Sequence, residues 1–282
     1  MLIQAARGLI PPFLLAGTLM LLLGRRRGGR GEWPPFVAGL VYPIGLLGGS
    51  ILLQGFPPLP PVSASHRLAL AAIPLAFLGP LWKDLENHRG RAWLLGGAAA
   101  LLCGLYPVWI SFARSPWLPS ETDPGSLILL ALPMLAGAAA STPVRERSKG
   151  ARGESLVLVL HATTAAVLAA TGSMLYGQIA GTLAVVSTIS LFAALTNRPR
   201  LLGASSLPQG AILGIGLCLA GLAYSEVTTT EAILLCLSWA LTPLALGESR
   251  PLSWTFLSAG PAMAALVLSI QSLLSDSNPY GY

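Results

Sequence analysis

Apolar residues follow one another along this chain in long blocks, and short clusters of arginine, proline and glycine separate the blocks. A helix needs about 20 residues to cross the roughly 30 Å of hydrocarbon in a bilayer, and fewer where the membrane is thin or crowded. Ten blocks meet that requirement: 2–23, 35–56, 68–82, 92–112, 126–144, 155–177, 179–196, 209–225, 231–246 and 252–274. The third and ninth are short. Trp82 and the polar edge at Glu231 extend them into the interface.

The sixth and seventh blocks have no charge between them. Ser155 to Asn197 is an uncharged stretch of 43 residues, which as one helix would be about 64 Å long, twice the hydrocarbon thickness. The stretch therefore turns once. Tyr176-Gly177-Gln178 is the expected place, because glycine permits the turn and its neighbours suit an interface.

Basic residues test this threading. With the N-terminus outside, the inner connections hold Arg25, Arg26, Arg27, Arg30, Lys83, Arg89, Arg91, Arg145, Arg147, Lys149, Arg152, Arg198, Arg200 and Arg250, while the outer side holds Arg7, Arg67 and Arg114. Fourteen against three is the asymmetry that orients multipass proteins, and adding or deleting one helix in the middle would destroy it. The first block resembles a signal peptide, but most of its charge lies behind it and no small-x-small cleavage site precedes Arg25. We expect a retained helix. The outer connection Gly55–Arg67, with Pro57, Pro58, Pro60 and Pro61, is expected to be stiff and extended.

The fold class that follows is all-α: a polytopic integral membrane helix bundle of about ten transmembrane helices, both termini outside, in a cytoplasmic (inner) membrane of bacterial type. No soluble domain fits, so 1–282 is one membrane-embedded domain. The count divides as five plus five (1–150 and 151–282), the arithmetic of an inverted repeat. Prolines separate the halves instead: Pro43, Pro74, Pro107 and Pro133 fall inside the second to fifth helices, and the sixth to eighth have none.

Composition agrees. The 282 residues are 54% hydrophobic and 10% charged, against about a quarter charged in soluble domains. A disordered chain, a nucleic-acid-binding domain and an ordinary soluble enzyme are excluded. The net charge of +6 is topological rather than a sign of an acidic partner. Cys103, Cys218 and Cys236 lie inside apolar runs without a CxxC pair, so they are expected to be small fillers, with no metal site.

Candidate chemistry is sparse. No Asp, Glu, Lys or Arg stands in the middle of a block, which weighs against ion-coupled transport through a buried carboxylate. His161 is the exception. Helical spacing joins it to Thr164, Thr171 and Gln178 on one stripe of the sixth helix. Three readings compete: a hydrogen-bonding seam against a neighbouring helix such as the one bearing Thr182, Ser187 and Thr188, a solute path, or a histidine ligating a metal-centred cofactor. The seam is preferred. A haem would want a second ligand, and His66 and His88 lie in loops on opposite sides, so no cofactor is expected.

Glycines at Gly45, Gly48, Gly49, Gly96, Gly97, Gly104, Gly214, Gly216 and Gly221 point to close helix packing, or with Pro43 and Pro107 to broken helices around a site. Trp33, Trp82, Trp93, Trp117 and Trp254 are interface anchors, whereas Trp109 and Trp239 lie deeper and pack. HExxH, an intramembrane aspartate pair, an aspartate-rich diphosphate motif and a P-loop are all missing. The acid, base and histidine of Lys83–His88 form a solvated connector.

The expected function is that of a multipass protein without catalytic residues, an accessory or scaffold subunit of a membrane complex. The alternative is a carrier or flippase for a neutral or lipophilic solute along the His161 stripe. An enzyme is not expected. The expected partners are the lipid bilayer and other membrane subunits, not nucleic acid.

Overall fold

The computed structural model describes residues 35–84, 94, 98, 152–195, 206–247 and 251–276. Among them are seven α-helices and no strand: α1 (Pro35–Gln54), α2 (Ala64–Asp84), α3 (Arg152–Ala170), α4 (Met174–Leu195), α5 (Ser206–Tyr224), α6 (Thr229–Gly247) and α7 (Pro251–Asp276). The fold is all-α. Three helices contain segments long and apolar enough to cross a membrane, Gly153–Ala170, Met174–Phe192 and Phe256–Ser275. Shorter apolar segments are Leu40–Gln54, Gln209–Leu222 and Thr229–Thr242.

Each helix coincides with an apolar block of the sequence. The expected spans 2–23 and 126–144 lie outside the described residues, and within 92–112 only positions 94 and 98, both helical, are described. Cys103 and the connector after Asp84 also lie outside.

Local chemistry sets the ends. Pro35 and Pro251 open α1 and α7, at the first position where a missing N–H costs nothing. Gly55 closes α1 at φ +82°, and its N–H reaches back to Ile51 O at 2.8 Å, an αL cap that glycine adopts without a Cβ clash. A capping box opens α6. Thr228 N–H and Oγ1–H both donate to Glu231 Oε2, at 2.8 and 2.9 Å, and Glu231 N–H reaches Thr228 Oγ1 at 3.3 Å.

One expectation is corrected. The uncharged stretch turns at Thr171-Gly172-Ser173, not at Tyr176-Gly177-Gln178. Gly172 takes the left-handed conformation, φ +83°, and Ser173 N–H bonds Leu168 O at 3.1 Å, the six-to-one bond of a Schellman motif. Ser173 then caps α4 through its carbonyl to Gly177 N–H at 2.9 Å. Gly177 serves a different purpose. A Cβ there would lie 2.9 Å from Ala169 Cβ and 3.0 Å from Ala165 O, so the glycine lets α3 and α4 approach closely after the turn is complete.

Three antiparallel pairs, α1–α2, α3–α4 and α6–α7, surround α5, which touches α1, α2, α3, α4 and α6. Every residue of α5 from Gln209 to Gly221 is buried. Residue pairings give the directions. On α1 and α4, Gly45 meets Val186 and Gly49 meets Thr182, so they are antiparallel. On α3 and α5, His161 meets Gly210 and Leu168 meets Gly221, so they are parallel. Since α2 returns along α1, the end of α2 and the start of α3 face the same end of the bundle. The three short connections 55–63, 171–173 and 225–228 face the other end, where Glu226 N–H bonds Thr171 O at 3.0 Å.

Candidate functional site

The polar centre of the bundle is built on His161, one of the α3 residues turned toward α5. Its ring lies between Tyr42 of α1 and Trp239 of α6, with ring centroids 5.4 and 5.0 Å away and both pairs tilted. Nε2 sits 3.1 Å from Gly210 O. A carbonyl can only accept, so Nε2 carries the proton. Nδ1 of the neutral ring then accepts from Ser187 Oγ of α4 at 2.9 Å, and Tyr42 OH, 2.9 Å from the same oxygen, donates to it. The bonds run in one direction, Tyr42 to Ser187 to His161 to Gly210 O, and join four helices. Leu183 O, also 2.9 Å from Ser187 Oγ, is the competing acceptor for that single hydroxyl proton.

Gly210 makes this convergence sterically feasible. A Cβ there would lie 3.2 Å from Tyr42 Cζ and 3.3 Å from His161 Cε1. One turn further along α5, Gly214 does the same for Trp239, whose Cζ2 would lie 2.8 Å from a Cβ. Two glycines on one face of α5 thus seat the aromatic and histidine rings of three other helices.

The expected stripe is divided by this structure. His161 and Thr164 share the inner face of α3. Thr164 Oγ1 donates to Leu160 O at 2.8 Å and touches Cys218 Sγ at 4.0 Å. Thr171 falls in the turn and donates to Val167 O at 2.9 Å. Gln178 belongs to α4, half-buried, because the chain has already reversed. The four do not form one line on one helix. The seam residues divide likewise: Ser187 bridges to His161, Thr182 bonds Ile179 O at 2.7 Å, and exposed Thr188 bonds Ala184 O at 2.9 Å.

Other buried polar groups tie helix pairs. Gln209 Nε2 donates to Leu75 O of α2 at 2.6 Å. Ser269 of α7 donates to Glu231 Oε1 at 2.5 Å, and Ser258 of α7 donates to Ser238 O at 3.1 Å. Some buried atoms have no hydrogen-bond partner, among them Ser190 Oγ, Gln209 Oε1, Ser238 Oγ and Trp239 Nε1.

Chemically, the Ser187–His161 separation is that of a hydroxyl and its base. Both residues are 0% exposed, and Tyr42, Trp239 and Gly210 lie against the ring. Cys218 and Cys236 are buried free thiols. Among the described residues no three His, Cys, Asp or Glu converge. Sequence reasoning named His161 and Ser187 but missed Tyr42 and Gly210, whose only signal was an aromatic and a glycine inside apolar runs. No protein-family model matches the chain, and no curated protein or solved structure matches it significantly.

Proposed function

We propose that this chain is a multipass membrane protein without catalysis of its own, an accessory or scaffold subunit of a membrane complex. The observation that carries this reading is the closure of the His161 centre. Each ring nitrogen is engaged by another helix, the ring is 0% exposed, and Gln209, Ser258 and Ser269 also bond across helix pairs. A polar interhelix bond of this kind contributes about 0.6 kcal/mol in a membrane bundle.

The proposed topology is ten crossings with the arginine-bearing connections in the cytosol. Helix directions support it. The end of α2 and the start of α3 face the same end of the bundle, as the proposed threading requires of the two apolar blocks that the sequence holds between them. Lys83 and Arg152 mark that end, and the sequence puts Arg198 and Arg200 between α4 and α5 and Arg250 between α6 and α7. Reporter fusions after Arg30, Arg91, Arg152 and Arg200 should all read cytosolic; a single exterior reading would overturn the threading.

The subunit reading is tested by particle mass. In mild detergent, light scattering should give a protein mass above 29.2 kDa that is not a whole multiple of it. A second reading, a carrier for a neutral solute, is favoured by the unpartnered buried atoms Ser190 Oγ, Gln209 Oε1 and Trp239 Nε1. Solute flux in vesicles containing this chain alone, lost in Thr164→Val, would replace the subunit reading with the carrier.

A further inference from the structure

We propose that the α1–α2 connection is a lipid-binding element whose Phe56, Leu59 and Val62 enter the headgroup–acyl boundary of the adjacent leaflet. The inference rests on the membrane reading above and adds a specific contact to it.

Phe56, Leu59 and Val62 are 83%, 81% and 72% exposed, nearly bare for large apolar side chains. They stand at every third position, and proline pairs fill the gaps, Pro57-Pro58 and Pro60-Pro61. Proline fixes φ, which narrows the conformations open to the loop and to its apolar groups. Proline also has no N–H. Of the nine residues 55–63, four have no backbone donor to desolvate, and Gly55 N–H is already bonded to Ile51 O. A loop poor in free donors enters lipid at less cost than an ordinary one.

Charge points the same way. No Asp, Glu, Lys or Arg stands between Glu32 and Arg67. The base of the loop is tied at the level of the helix ends, where Ser65 Oγ donates to Gln54 Oε1 at 2.7 Å and Ser63 Oγ lies 3.0 Å from Ser65 Oγ. The three apolar side chains therefore project from the level of the helix ends. The connections 171–173 and 225–228 at the same end differ, presenting Ser173, Ser225, Glu226 and Thr228. A partner from the aqueous phase would leave three bare apolar groups in water whenever it dissociated, whereas the bilayer is always present.

The test is nitroxide depth measurement in phosphatidylcholine vesicles, with Cys103, Cys218 and Cys236 replaced by alanine. Labels are placed singly through Phe56→Cys, Leu59→Cys, Val62→Cys, Thr229→Cys and Val267→Cys. At 56, 59 and 62, collision with oxygen should exceed collision with a water-soluble nickel chelate. Thr229 should show the reverse, and Val267 should read deep in hydrocarbon. If 56, 59 and 62 favour the nickel chelate while Val267 stays deep, the loop is in water, a soluble partner becomes its occupant, and the proposal is overturned. A Val267 label in water overturns the membrane reading itself, and the proposal with it. Should the cysteine-free chain fail to fold, a photoactivatable phosphatidylcholine applied to the unmodified chain replaces the labels. Adducts on residues 55–63, lost in the triple Phe56→Ser, Leu59→Ser, Val62→Ser variant, support insertion. Adducts on α7 without any on 55–63 overturn it.

Discussion

Helices α5 and α7 are both apolar, with Asp276 at the last position of α7 the sole charge in either, yet they occupy opposite environments. Residues 209–221 of α5 are buried on all sides, whereas only 22% of the Phe256–Ser275 window of α7 is buried. Side-chain size distinguishes them. Small residues and glycines on α5 receive the rings of its neighbours. On α7, Ser258, Ala262, Ala265 and Ser269 form the inner line, and Phe256, Met263, Val267, Leu268 and Ile270 point outward. Hydropathy cannot rank inside from outside when lipid is as apolar as the core. Close packing of small residues and polar bonds between helices can.

That comparison is broken most severely at α5. Gly214→Leu drives four heavy atoms into Trp239 and should destabilise by about 3 kcal/mol or more, read as loss of monodisperse protein or a large fall in Tm in detergent. His161→Ala leaves a void and removes the imidazole from Ser187 and Gly210 O, while Ser187 Oγ keeps Tyr42 OH and Leu183 O. The expected loss is about 2–3 kcal/mol, measured by thermal or denaturant unfolding. Thr228→Ala removes half of the capping box and should cost about 1 kcal/mol in the same measurement, with the Ser269–Glu231 bond retained. Outward Leu268→Ala on α7 should change stability by less than about 0.5 kcal/mol. A loss of 2 kcal/mol or more at Leu268, on the scale of a core truncation, would show that this flank is packed rather than bathed by solvent or lipid.

The seven helices were legible because each falls on an apolar block bounded by proline, glycine or charge, though only three of them hold a segment long and apolar enough to cross a membrane. The turn inside the uncharged stretch was not. Gly172 and Gly177 stand five residues apart, and composition cannot tell a glycine needed for positive φ from one needed for helix approach. Choosing the wrong one assigned Gln178 to the sixth helix and extended the His161 stripe past its physical end. His161 itself was legible as the one strongly polar ring inside a block. Its partners were not, because Tyr42 is 119 positions away in sequence and Gly210 is 49. Only the assembled bundle brings an aromatic hydroxyl and a main-chain carbonyl to the two sides of one imidazole. Ser187 could be anticipated, since it was a hydroxyl on the helix expected to pack alongside.

The tight reversal at 171–173 bears on how the protein is made. Its main-chain groups are largely satisfied before any other helix arrives, and it brings no charged side chain of its own. On the membrane reading proposed above, helices α3 and α4 would leave the synthesis machinery as one greasy fork and enter the bilayer tip first, with no hydrophilic cargo to drag across. The remaining helices would then assemble against a pair that is already upright.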